Sequence, residues 1–145
     1  MTVAERRRVG QGGRMSQRPN RSSQAPALRL AALLFGAGTL HFVRPRPFDA
    51  IVPRALPGSA RTYTYASGVA ELATAAALAV PRTRRLGGTL ATALFVAVFP
   101  ANVQMTIDWF RSNRTSTPAK VLAAARLPLQ IPLVADALRA RRNAA

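Results

Sequence analysis

The amino-acid sequence predicts an all-α protein, a four-transmembrane-helix bundle with both termini cytoplasmic behind a disordered basic tail. Three observations predict it. The charged residues bracket long apolar stretches instead of spreading along them. Hydrophobic residues make up 49% of a chain that still carries a formal net charge of +16. The basic residues divide unevenly between the two sides that the stretches define. The 145 residues suit one compact domain. Spans are expected at about 25–43, 62–81, 86–108 and 120–138, within a membrane domain covering residues 25–140.

Residues 1–24, rich in Arg, Gly, Ser and Gln, lack apolar periodicity and read as a disordered tail touching anionic lipid. Met15 is a second candidate start of translation. Arg6, Arg7 and Arg8 resemble a twin-arginine or nucleic-acid signal, but the apolar run begins some way downstream and no aromatic residues interleave the charges. Nucleic acid is therefore not an expected partner.

The first span has only 14 uncharged residues between Arg29 and Arg44. It crosses a core of about 30 Å only if both arginines snorkel and the helix starts near Ala25. The second has 20 residues between Arg61 and Arg82 and contains one charge, Glu71. Its Val69, Leu72, Leu78 and Val80 supply roughly −2 kcal/mol of insertion energy against about +3 for a central carboxylate. Such a helix inserts only beside neighbours, and its charge needs a partner or a job. The third has 22 residues between Arg85 and Asp108 with no charge at all, and inserts by itself. A soluble four-helix protein would show a polar outer face, and residues 86–107 have none. The fourth, over 121–138, is apolar but carries Arg126, Asp136, Pro128 and Pro132.

Outside the spans, 13 Arg and Lys fall on the side of the termini and 7 on the other. The positive-inside tendency places the termini in the cytoplasm of a multi-pass protein of the bacterial inner membrane. Between Arg44 and Arg61, four prolines interrupt Phe48, Ile51, Val52, Ala55 and Leu56. That stretch is too broken to cross and too apolar to float, so it is expected to lie in the outer interface and cap a cavity. Trp109 and Phe110 read as an interfacial anchor.

Alternating spans assign depth to the polar residues. His41 falls near the outer end of the first, Glu71 at the midpoint of the second, and Asn102 and Arg126 in the outer thirds of the third and fourth. Thr64, Ser67, Glu71 and Thr74 share an arc of roughly 80° on one helix, an inward polar stripe. Glu71 and Arg126 read as a buried ion pair fixing helix register. The further readings are a proton-accepting or ligand-binding carboxylate in a cavity open to the outer leaflet, and then a neutral donor. His41 suits proton shuttling, or merely a bond at a helix end. Pro100, Pro128 and Pro132 free the carbonyls of Val96, Ala124 and Pro128, and Asn102 and Gln130 are the nearest donors. The candidate polar site is His41, Ser67, Glu71, Asn102, Arg126 and Gln130.

The chain has no Cys, which excludes disulfides, iron–sulfur ligation and Cys-containing zinc sites. One His cannot build a His-rich metal site or supply two axial ligands to a haem. No metal site and no catalytic residue is expected. All basic residues but Lys120 are Arg, a bias that points to codon pressure in a genome rich in G and C.

His41, Phe42 and Pro45, then Pro53 and Pro57, Ser67, Gly68, Glu71 and Leu72, Arg84 and Arg85, and Phe99, Pro100 and Asn102 form an ordered pattern. It resembles the DoxX-like family of small four-helix membrane proteins, in its actinobacterial form, over roughly residues 36 to 135. The resemblance implies a four-helix membrane bundle. Some relatives are subunits of a thiosulfate:quinone oxidoreductase or partners in membrane oxidoreductase complexes. The absence of Cys argues against direct sulfur chemistry in this chain. The leading expectation is an accessory membrane subunit, not a stand-alone enzyme, that binds a small quinone-like lipophile beside Glu71 and supports a redox protein. A small proton-coupled transporter, working as a homo-oligomer, and a ligand-free assembly protein are the alternatives.

Overall fold

The computed structural model describes residues 21–144, whose regular secondary structure is all helical, without strands. The helices are α1 (Arg21–Val43), α2 (Pro45–Asp49), α3 (Ala60–Ala79), α4 (Arg84–Arg111) and α5 (Thr117–Arg142), with a 3-10 turn at Pro81–Thr83. Of the tail expected over 1–24, residues 1–20 lie outside the described residues, and residues 21–24 are helical. Each long helix departs from its expected span by a few residues. Hydropathy marks the edge of a hydrocarbon slab, whereas backbone hydrogen bonds and caps decide where a helix stops.

Local chemistry sets those stops. Arg44, before Pro45, takes an extended φ of −136°, because a following proline disfavours the helical conformation. The side chain of Ser59 caps α3 by accepting from the Thr62 N–H at 3.2 Å. Val80, before Pro81, is likewise extended and ends that helix. Arg84 then folds back under the end of α3. Its Nε donates to the Leu78 carbonyl at 2.9 Å and its Nη2 to that of Ala79 at 3.0 Å. A buried guanidinium at a helix C-terminus satisfies carbonyls left without intrahelical partners and complements the dipole. By contrast, α4 runs unbroken through Pro100, and α5 through Pro128 and Pro132.

Among the described residues, three helical stretches are long and apolar enough to cross a membrane: Gln24–Val43, Pro81–Arg111 and Thr117–Arg142. The helix carrying Glu71 is not among them. The expected second span has the length but not the apolarity, in keeping with its near-zero insertion energy. Large apolar side chains face outward on the long helices, Phe35, Val69 and Ile131 among them.

The helices pack as two close pairs. In the α1–α3 pair, a Cβ at Gly68 would lie 2.7 Å from the Phe42 ring and 2.8 Å from the His41 Cβ. In the α4–α5 pair, a Cβ at Gly88 would lie 2.6 Å from the Arg141 nitrogen and 2.8 Å from the Ala137 carbonyl. Only glycine permits these approaches. The pairs meet at the end that holds the Val80–Thr83 connection. There Ala27, Leu30 and Ala31 of α1, Ala75 and Leu78 of α3, Ala91 of α4, and Ala137 and Ala140 of α5 form one buried core. Arg29 bonds Asp136 across the α1–α5 seam at 3.1 Å. We call this the closed end, and the opposite one, with the Arg44–Ser59 connection, the cap end.

Candidate functional site

Toward the cap end the pairs diverge around a cavity of about 530 Å³. Its floor is apolar, formed by Leu34, Leu94, Phe95 and Leu133, the side chains that border the closed core. Phe48, Ile51, Val52, Pro53 and Leu56 of the connection line it on the cap side. All six polar residues singled out from the sequence, His41, Ser67, Glu71, Asn102, Arg126 and Gln130, line this one cavity.

Glu71 is only 8% exposed. Its Oε2 is buried without a hydrogen-bond partner, and its nearest charged or titratable neighbour is His41, whose Nδ1 lies 3.2 Å away. That nitrogen is engaged elsewhere, 2.8 Å from the Ala37 carbonyl. A carbonyl only accepts, so Nδ1 carries the proton and donates it along α1, away from Glu71. The free ring nitrogen is then Nε2. The imidazole also stacks on Phe48, with ring centroids 3.8 Å apart. His41 thus links the carboxylate to the segment that caps the cavity.

The ion pair expected between Glu71 and Arg126 does not form. No salt bridge joins them within 4.0 Å, and the guanidinium makes no hydrogen bond to another described residue. The depth assignment brought the two residues to one cavity. It could not specify rotation about α5, which leaves Arg126 largely exposed at the cavity's edge. Gln130 does reach across to α4, but to the Phe95 carbonyl, one residue before the Val96 carbonyl expected from Pro100. Its amide nitrogen therefore ties α5 to α4, and its oxygen is left to the cavity. The Ser67 hydroxyl and the Asn102 amide bond no other described residue. Of the inward stripe on α3, Thr74 bonds its own helix through the Ala70 carbonyl, and Thr64 serves the cap.

The cap is held by a residue that the sequence reading passed over. Asp49, last in α2, accepts from Arg61 Nη2 at 2.8 Å, from Arg61 Nε at 3.0 Å and from the Thr64 hydroxyl at 2.7 Å. The Arg61 bonds, then that of Thr64, hold the Asp49 carboxyl below the ordinary carboxylate range. The available signal was scarcity: the chain has 5 acidic residues against 21 basic ones, so each acid warrants a named partner. Asp136 bonds Arg29 and Arg139, and Asp108 accepts from Gln104. Among the described acids, only Glu71 accepts no hydrogen bond. Beyond the cap lies a second, more polar cavity of about 1000 Å³, bordered by Gln104, Asp108 and Trp109. Ile51, Val52, Pro53, Leu56 and Tyr63 line both cavities and form the wall between them.

Fold and site define a small helical protein with a half-sealed apolar cavity and unsatisfied polar groups inside it. The family described as a domain of unknown function, DUF8561, matches residues 30–141, and the chain belongs to that family. The match takes in every residue of the cavity. No curated protein and no solved structure matches the chain.

Proposed function

We propose that this is a multi-pass protein of the bacterial cell membrane, a four-helix bundle with both termini cytoplasmic, that binds a small lipophilic molecule of quinone type. It serves as an accessory subunit of a membrane oxidoreductase, as the resemblance to DoxX-like proteins suggests. The observation that carries the proposal is the cavity: its size falls within the range of small-molecule sites, and its walls are apolar with a few convergent polar groups. A buried carboxylate oxygen with no donor marks a place where a ligand or water completes the bonding. The three apolar helices would shelter α3, whose polar stripe faces away from lipid.

Two features favour binding over the alternatives. A transported solute would have to part the Ala and Leu core of the closed end. A purely structural role for Glu71 and Arg126 would want them in contact, and they are not.

The test uses purified protein in lipid nanodiscs, with decylubiquinone as the probe. Saturable binding to the native chain, weakened at least tenfold in Glu71→Gln and Glu71→Ala proteins that accumulate normally, supports the reading. Unchanged binding in both variants, or no saturable binding to the native chain, overturns it. Loss of a membrane redox phenotype in the same variants would tie binding to a redox partner.

A further inference from the structure

The α1–α5 seam has two ends of different character. At the closed end Arg29 and Asp136 bridge it at 3.1 Å. Leu33 lies one turn along α1 from Arg29 on the same face, and Leu129 lies two turns along α5 from Asp136 on the same face. In these antiparallel helices the two leucines are displaced toward the cap by about 6 Å and about 10 Å from the bridge, and so sit at neighbouring depths. Both line the cavity, yet Leu33 is 48% and Leu129 55% exposed. Side chains on facing stripes of one seam that border both the interior and the outer surface mark a gap in the wall. Ala37, the next residue along the α1 stripe, is too small to close it and also lines the cavity. Arg126 follows Leu129 one turn nearer the cap, exposed and without a carboxylate within 4.0 Å.

We propose that the cavity fills sideways, through a mouth between α1 and α5 framed by Leu33, Ala37 and Leu129, and that Arg126 at its edge grips an acceptor oxygen of the incoming lipophile. The inference rests on the membrane and ligand-binding reading above. A guanidinium has only donors, so a molecule held by Arg126 must bring a carbonyl or other acceptor oxygen. The aliphatic rim suits a hydrocarbon tail that stays in the bilayer while the polar head moves inward. The other route, from the polar cavity near Trp109, is walled off by Ile51, Val52, Pro53, Leu56 and Tyr63.

The chain's lack of Cys makes the test clean. The Leu33→Cys/Leu129→Cys protein is assembled into phosphatidylcholine nanodiscs, and its thiols are joined with a short bifunctional reagent. Uptake of decylubiquinone is followed by saturable quenching of the single tryptophan, Trp109, before and after joining. The expected result is uptake at least tenfold slower once the helices are tied, with quinone loaded beforehand retained. Because the protein is folded before the bridge is made, its unbridged form is the control. Unchanged uptake overturns the lateral route, and so does uptake slowed only by a bridge from the Ile51–Leu56 segment to α4. Arg126→Gln should weaken binding by roughly tenfold or more, the scale of a lost charged hydrogen bond. Equal affinity removes Arg126 from recognition. No saturable quenching in the unbridged protein would instead defeat the ligand-binding reading itself.

Discussion

The closed end and the cap end are built from the same four helices by opposite rules. At the closed end, small residues bring backbones together, Leu78 and Leu30 are buried, and the exposed turn is stitched by Arg84 to the carbonyls of α3. At the cap end the helices separate, and Glu71, Ser67, Asn102 and Arg126 leave hydrogen-bonding capacity unused around a void. A chain selected only for stability would fill that void and drop its charges. Keeping it costs stability, a cost that the binding role proposed above would explain.

This contrast can be broken from either side. Leu78→Ala, in the closed core, should cost about 2–5 kcal/mol through lost burial and a cavity that rigid neighbours cannot collapse. Thermal unfolding followed by circular dichroism would read it, and a loss under 1 kcal/mol would refute the idea of a tight closed end. Gly88→Ala should cost about 1–3 kcal/mol, because the new methyl meets backbone atoms of α5 that cannot rotate away. At the cap end the sign reverses. Glu71→Leu removes a buried acceptor that nothing satisfies, so stability should stay level or rise by about 1 kcal/mol while the proposed quinone binding is lost. A large destabilisation there would make Glu71 a structural residue after all.

The smallest effect is expected at Asp49. Because the Arg61 and Thr64 bonds depress its carboxyl below 3.8, their contribution is present above that ordinary value and is lost as pH falls through the lower folded-state one. Hydrogen exchange over residues 50–58 should therefore quicken on acidification below about pH 4, after correction for the intrinsic exchange rate. In Asp49→Asn it should be fast at neutral pH and lose that dependence. Identical profiles in the two proteins would show that Asp49 does not hold the cap.

What the sequence disclosed depended on whether the information was periodic. The inward stripe of Thr64, Ser67, Glu71 and Thr74 follows from helical geometry. Counting depth along alternating helices placed His41, Asn102 and Arg126 near Glu71, and the carbonyls freed by the prolines pointed to Gln130; all line the one cavity. Partnership was not legible. Which atom meets Glu71 depends on the rotation of α1 and α5, and one residue separates the Phe95 carbonyl that Gln130 meets from that of Val96. Asp49 was invisible for another reason: it ends a five-residue helix among prolines, where no repeat assigns a direction. The backbone approaches at Gly68 and Gly88 were equally hidden, since glycine carries no hydropathy signal.

The short Val80–Thr83 turn and the core beside it also make the molecule a lever. From Leu78 to Thr64, α3 runs 14 residues, about 21 Å from the pivot to the cap end. Tilting one helix pair against the other by about 5° would move the cap end by about 2 Å, while atoms at the pivot scarcely move. The binding proposed above would thus accommodate guests of different girth by a change of angle, with the hydrogen bonds of Arg84 and Arg29 left in place.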